Sequence, residues 1–338
     1  MRGDFLYSSM RPRVQASLDL VLYVVFFLPG IAALIYAGYD YAALSWRIAE
    51  HSNVTANGPP VYHFKMLIPV TGVLMVLDDV GYAQLGCYGS DIETPTLDRL
   101  AAGGVRLANF HTTALCSPTR SCLLTGRNHH SNAMARVADL ASGFSGYWGR
   151  IPRENGFLSE ILGGTGYAPV AVGKWHLTPE DETHMAAPRD TWPCGRGFQR
   201  WYGFHGGETH QYVPTLFQDN SAVRPPAGDG YHLSEDLADR AIRYLGDVRS
   251  VAADQPFFLY FATGACHSPH HAPPEWLDRY RGRFDAGWDA WREATLDRQL
   301  AMGLVPAGTA LTPRPSWVPA WDSLGAEDRR VAARFMEC

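Results

Sequence analysis

The sequence is short of charge and shorter still of positive charge. Charged residues make up 19% of the 338 residues, Asp and Glu outnumber Lys and Arg by 34 to 29, and the formal net charge is −5. With no basic cluster anywhere, nucleic acid is not an expected partner. Cysteine is also scarce. Cys87, Cys116, Cys122, Cys194, Cys266 and Cys338 form no CxxC pair and no zinc-like spacing. Mostly free thiols, at least one of them functional, is therefore the reading preferred over a disulfide framework. No internal repeat, low-complexity tract or HExxH motif is present. What remains is a globular composition, 46% hydrophobic, with 13 His and 10 Trp concentrated in the second half among Pro- and Gly-rich loops.

Long apolar runs are rare, and the main one lies near the start. Leu20 to Tyr39 contains no charged residue and is bracketed by Asp19 and Asp40. A run of roughly 20 residues, ~30 Å as a helix, is enough to cross a bilayer. A membrane helix is expected over about 18–40. Arg2, Arg11 and Arg13 precede it, which places the N-terminus in the cytoplasm and residues after about 40 outside it. A second apolar stretch, Met66 to Leu77, is too short to span unaided and runs straight into Asp78-Asp79; it reads equally as a strand or as the opening of a second, cut-off membrane helix.

From Val73 onward the pattern changes. Val73 to Leu77, Val105 to Phe110, Tyr167 to Val172 and Pro256 to Ala262 read as strands, the first and last of them buried. Thr94-Pro95 opens a helix that Gly103-Gly104 stops, and Ser234 caps another that ends at Gly246. Strands alternating with helices predict an α/β fold, a mainly parallel sheet with helices on both faces. Sites in such folds gather beyond the carboxyl ends of strands.

Four segments carry chemistry, and each follows a strand-like run or opens a helix. Asp78 and Asp79 place like charges side by side at a strand end; a hard cation such as calcium or magnesium would relieve their repulsion, although a solvated acidic turn fits too. Cys116-Ser117-Pro118-Thr119-Arg120 puts a thiol at a helix start, where the dipole favours anions, and an arginine one turn inside, although one isolated cysteine before a helix reads more readily as a buried structural thiol. Gly173-Lys174-Trp175-His176 supplies a point charge and a proton donor or acceptor. Cys266-His267-Ser268-Pro269-His270-His271 places His267 just beyond a strand, with His270 and His271 reading as a surface turn.

In that order, together with Gly86-Cys87-Tyr88-Gly89, Thr94-Pro95-Thr96-Leu97-Asp98-Arg99-Leu100, Gly126-Arg127, Gly197-Phe198 and Trp201-Tyr202-Gly203-Phe204, these segments resemble the formylglycine-dependent sulfatases of the alkaline phosphatase superfamily. The resemblance covers about 72–338 and implies an arylsulfatase-like sulfuric ester hydrolase. It implies that a formylglycine-generating enzyme oxidises Cys116 to formylglycine, whose hydrate attacks the sulfur of a sulfate ester. It also implies that Asp78, Asp79 and the group at Cys116 bind calcium, with magnesium an option. Arg120 would steady the formylglycine, Lys174 and His267 would hold sulfate and leaving-group oxygens, and His176 would contact the aldehyde hydrate.

The family has a further Asp-Asn pair and a later lysine, which do not occur before Cys338, so residues 71–338 are expected to be the N-terminal part of a sulfatase domain with a weakened metal shell. Asp219-Asn220 reads as a loop turn rather than a substitute. Residues 1–70 resemble instead the small integral-membrane subunit of TRAP transporters, through Arg13 to Leu20, Tyr36 to Trp46 and Asn57 to Lys65. That resemblance implies a bacterial inner membrane. The junction at about 70–78 reads as a chimera, by rearrangement or faulty gene assembly. The rival readings are a TRAP-type membrane subunit with an inactive sulfatase fragment, and a phosphodiesterase or phosphonate monoester hydrolase of the same superfamily.

Overall fold

The computed structural model describes residues 72–108 and 110–338. The expected membrane helix and the whole TRAP-like stretch lie outside them. Among the described residues no helix is long and apolar enough to cross a membrane.

A six-stranded sheet organises these residues. Its strands are β1 (Gly72–Val76), β2 (Ala168–Lys174), β3 (Arg200–Phe204), β4 (Leu216–Gln218), β5 (Ser221–Val223) and β6 (Phe257–Ala262), in the order β1-β6-β2-β3-β4-β5. β2 runs parallel to both β3 and β6, while β4 and β5 form an antiparallel hairpin on the β3 side. The mainly parallel sheet is thus present with an antiparallel margin. Asp219-Asn220 is the two-residue turn of that hairpin, and the Asp219 carboxylate is held by the Trp201 amide at 2.9 Å and by Arg200.

Alternation along the strands sorts side chains onto two faces. Ala171, Trp201, Phe258 and Tyr260 join Leu124 of α2 (Cys116–Thr125), with Leu158 and Leu162 of α3 (Leu158–Gly164) packed against them. Val170, Val172, Tyr202, Phe204 and Leu259 join Leu233, Leu237, Ala241 and Tyr244 of α4 (Leu233–Val251) on the other face. Helices therefore cover both faces, as the composition of β2, buried at all seven positions, requires. Helix α1 (Pro95–Ala102) lies ahead of α2 in the chain, and α5 (Pro274–Arg279), α6 (Gly287–Ala301) and α7 (Ala326–Met336) follow β6.

Three local expectations need correction. Val105 to Phe110 forms no strand where it is described, and Val105 and Phe110 stand exposed with no sheet neighbour to bury them. Helix α4 is capped by His232, whose Nδ1 accepts from the Ser234 amide, and it continues through Gly246 to Val251. A helix-interior glycine costs only about 1 kcal/mol, which the buried face of Leu233, Leu237, Ala241 and Tyr244 offsets. Finally, β1 is less buried than expected: Val73 and Met75 are exposed.

Close strand approach fixes the end of the sheet that carries the site. Gly173 pairs in register with Ala262 on one side and Gly203 on the other. Its φ is +103°, and a Cβ there would lie 1.7 Å from the Ala262 carbonyl oxygen; a Cβ on Gly203 would lie 1.9 Å from that of Gly173. Both contacts are with backbone and cannot be relieved by a rotamer change. Gly173→Ala is accordingly expected to cost at least about 3 kcal/mol, measured as a lowered urea midpoint, or to yield no folded protein. An alanine variant of wild-type stability would disprove this tight register.

Candidate active site

The strand ends deliver the expected residues to one region. Asp78 follows β1, Lys174 ends β2, and His267 lies five residues beyond β6. Cys116 is the first residue of α2 itself, with Leu115 as the N-cap, and Gly126 at φ +67° stops that helix. Arg120, one turn on from Cys116, points inward from the same helix and is 1% exposed.

At the floor lies a buried ionic cluster. The Asp78 carboxylate receives Arg120 Nη2 on Oδ1 at 3.3 Å and Lys174 Nζ on Oδ2 at 2.5 Å. Arg120 Nη1 donates also to the Lys174 carbonyl at 2.8 Å and to the Tyr260 hydroxyl at 3.1 Å. One carboxylate between two cations leaves an excess of one positive charge in a low-dielectric setting, which favours an anion at the mouth above it. Lys174 has no exposed side-chain surface; its ammonium is directed to Asp78.

Above that floor sits a chain of three residues. Cys116 Sγ lies 3.1 Å from His176 Nδ1, and His176 Nε2 lies 2.5 Å from Asp139 Oδ1. Burial pushes the His176 imidazolium down to about 4, against the opposing pull of Asp139, and Lys174 lowers it further. Burial by itself would raise the Asp139 carboxyl, but the hydrogen bond from His176 wins and the net shift is downward. At neutral pH the pair is therefore a neutral imidazole and an ionised carboxylate. His176 takes φ +57°, and Gly207 stands against its ring, so close that a Cβ would come within 2.8 Å of Cε1.

His267 occupies a second station. Its Nε2 is 3.7 Å from Asp79 Oδ2 and its Nδ1 3.7 Å from Glu208 Oε2, while Ser268 Oγ donates to that same Glu208 oxygen at 2.7 Å. The loop is tied to the end of β1, because the Cys266 amide donates to the Asp78 carbonyl at 3.1 Å. A cavity of about 440 Å³ lies beyond His267, lined in part by Gln211, His232, Pro273 and Trp276. Neither Cys116 nor His176 lines it, so it lies beside the thiol rather than over it.

The expected calcium ligands do not form a shell that fits the ion. Asp78 already has both oxygens on buried cations, Asp79 turns outward at φ +57°, and among the described residues no group of three His, Cys, Asp or Glu side chains could hold a metal. Calcium needs six to eight oxygens. His270 and His271 also form no metal cluster; His270 is exposed at the rim of the cavity beyond His267.

Sequence reading missed Asp139, Tyr260 and Glu208. Asp139 lies in a single 3-10 turn, 138–140, with no motif around it. Tyr260 had one signal, a lone hydroxyl in the otherwise apolar run of β6, whose burial demands a hydrogen-bond partner. Lys174 had a signal that went unused: Lys65 and Lys174 are the only lysines in the sequence.

Removing Asp78 leaves two buried cations without a counter-ion, whereas removing Lys174 leaves a one-to-one pair with Arg120. Asp78→Asn is thus expected to lose about 3–5 kcal/mol in chemical denaturation and Lys174→Met distinctly less. Equal losses would contradict the charge balance drawn here. A second effect concerns His205, packed among Trp192, Trp201 and Phe217 and pushed down to about 3 by burial. Its folded value lies below the unfolded value, so its contribution is fully present above about pH 6.5 and is lost as pH falls toward 3. Stability measured between pH 7 and 4 should fall by up to about 1.4 kcal/mol per pH unit from this group, and the slope should flatten in His205→Gln.

Comparison with known proteins gives the family of the chain. The sulfatase family model matches residues 71–335. An uncharacterized sulfatase of Schizosaccharomyces pombe is 33% identical over 290 residues, 78% of this chain and 50% of that protein. The arylsulfatase of Klebsiella aerogenes is 27% identical over 277 residues, 78% of this chain and 57% of that one. Among solved structures, the crystal structure of Ps i-CgsB shares the fold with a TM-score of 0.54 and 24% identity, covering 68% of this chain and 54% of its own. The chain spans about half the length of the curated relatives it matches. By its motifs, its fold and this match over residues 71–335, the chain belongs to the sulfatase family.

Proposed function

We propose that this chain hydrolyses sulfate esters through the residue at position 116. The observation that carries the reading is the placement of Cys116 at the first turn of α2, in contact with His176, over a buried cluster with one excess positive charge. An attacking group at a helix N-terminus, above fixed cations, suits a reaction in which negative charge builds on transferred oxygens. The similarity to an arylsulfatase supports an aryl or comparable sulfate ester as the substrate class.

Converted to formylglycine by a generating enzyme, position 116 would supply a hydrated aldehyde with one hydroxyl to attack sulfur and a second to expel sulfate afterwards. The chain's own residues do the rest. His176 accepts a hydrogen bond from the group at position 116 through Nδ1. Arg120 is held rigid by three acceptors, the Lys174 carbonyl, the Tyr260 hydroxyl and the Asp78 carboxylate, so its charge needs no rearrangement as the reaction proceeds. Lys174 balances Asp78 and adds to the positive field. His267, between Asp79 and Glu208, stands at the open side where a leaving alcohol would collect a proton. No step calls on calcium, because both Asp78 oxygens already accept from Arg120 and Lys174.

The test is co-expression of the full chain with a formylglycine-generating enzyme, confirmation of the aldehyde at position 116 by mass spectrometry, and an aryl-sulfate hydrolysis assay. Turnover should depend on position 116, with Cys116→Ala reducing it by at least about 10³-fold. Aldehyde present without turnover, or turnover that survives Cys116→Ala, would refute the reading.

A further inference from the structure

Asp139 lies outside every motif that identifies the family in this sequence, yet it is tied to the nucleophile position twice. Its carboxylate takes the Nε2 hydrogen of His176 at 2.5 Å, and the preceding residue, Ala138, donates its amide to Ser117 Oγ at 3.1 Å. Ser117 is the neighbour of Cys116 and is fully buried. The turn carrying Asp139 is thus fastened to the first turn of α2, so the carboxylate and the group at position 116 sit on one rigid frame with the imidazole between them.

The logic of the arrangement is one of donors and acceptors. An ionised carboxylate only accepts, so Nε2 must carry the hydrogen. A neutral imidazole has one hydrogen, so Nδ1 is left as an acceptor, and Nδ1 is the atom that faces Cys116 Sγ at 3.1 Å. The ring has no room to choose otherwise: the backbone at His176 is left-handed, its amide donates to the His205 carbonyl, and Gly207 closes against the ring edge. The charged and titratable groups around the imidazole are Asp139, Lys174, Arg120 and Cys116, and only Asp139 bonds to Nε2.

We propose that Asp139 is a positioning residue, which holds His176 as the Nε2–H tautomer so that Nδ1 is a fixed acceptor for the group at position 116. Its catalytic importance rests on the sulfate-ester reading above, but its effect on the tautomer does not. Asp139 is partly exposed and belongs to no core cluster, so substitutions there should fold.

The experiment uses the full chain labelled with ¹⁵N-histidine and long-range ¹H–¹⁵N correlation at neutral pH, with His176→Gln to assign the signal. Wild type should show His176 as Nε2–H. Asp139→Asn, alike in shape but able to donate, should move the population toward Nδ1–H, and Asp139→Glu should restore Nε2–H. In the formylglycine-bearing protein, kcat for an aryl sulfate should fall at least about 100-fold in Asp139→Asn with KM within about twofold, and recover at least about tenfold in Asp139→Glu. An Nδ1–H wild type, or a tautomer indifferent to Asp139→Asn, overturns the proposal whatever the activity. A tautomer that follows Asp139 in a protein with confirmed aldehyde and no turnover upholds the positioning role and sinks the hydrolase reading instead. Turnover unchanged in Asp139→Asn despite a changed tautomer overturns the catalytic part.

Discussion

A single carboxylate, Asp78, sits between Arg120 and Lys174 in the interior, and the arrangement of the site depends on that contact. The three residues come from the end of β1, the first turns of α2 and the end of β2, and Arg120 adds β6 through the Tyr260 hydroxyl. Buried charges are costly to desolvate, and such a cluster is poor evidence of net stability. Its value here is geometric. A guanidinium holding a carboxylate, a backbone carbonyl and a phenol has one orientation that satisfies all three, so the helix that carries it cannot rotate without exposing an unpaired charge. Cys116 lies four residues before Arg120 on that helix, and His176 two residues beyond Lys174. Fixing the cluster fixes their meeting.

The backbone must then allow the strand ends to come close enough. In the row Ala262–Gly173–Gly203, the two glycines do so by omitting side chains where carbonyl oxygens of the neighbouring strands would collide with them. Lys174 and Phe204 follow directly, and beyond them the His176 amide bonds to the His205 carbonyl at 3.1 Å. The buried His205 and its aromatic neighbours therefore support the segment that turns His176 toward α2. Packing at the end of the sheet and presentation of the imidazole are one continuous piece of structure.

These features differ in how they were written into the sequence. The sheet, its two covered faces and the short segments around Asp78, Cys116, Lys174 and His267 were legible, because each segment is contiguous and its residue types have few other uses together at strand ends. Asp139, Glu208 and Tyr260 were not, because each meets its partner only through folding, across 37, 59 or 60, and 140 residues respectively. Val105 to Phe110 misled because a strand-like composition needs an adjacent edge, and none is there among the described residues. Gly246 misled for the opposite reason: tertiary burial along α4 outweighs a propensity penalty of about 1 kcal/mol. Two carboxylates at a strand end suggested a cation, and the structure shows how one of them can be satisfied by the protein's own cations instead.

The depth of each group follows from what it has to do. In the proposed reaction Arg120, Lys174 and Asp78 would act by their field, and a field is strongest and least dependent on reorganisation when its sources are buried and immobile. In that reaction Cys116 and His267 would meet the substrate from outside, and both are less buried than those three. His176 belongs to both layers. Its ring is buried, so it stays neutral at physiological pH, while one nitrogen reaches the boundary where Cys116 begins. A neutral ring with a free choice of tautomer would face that boundary with a donor part of the time. Only a fixed acceptor behind it removes the choice, and Asp139, near enough to solvent to remain ionised and near enough to bond, meets both conditions.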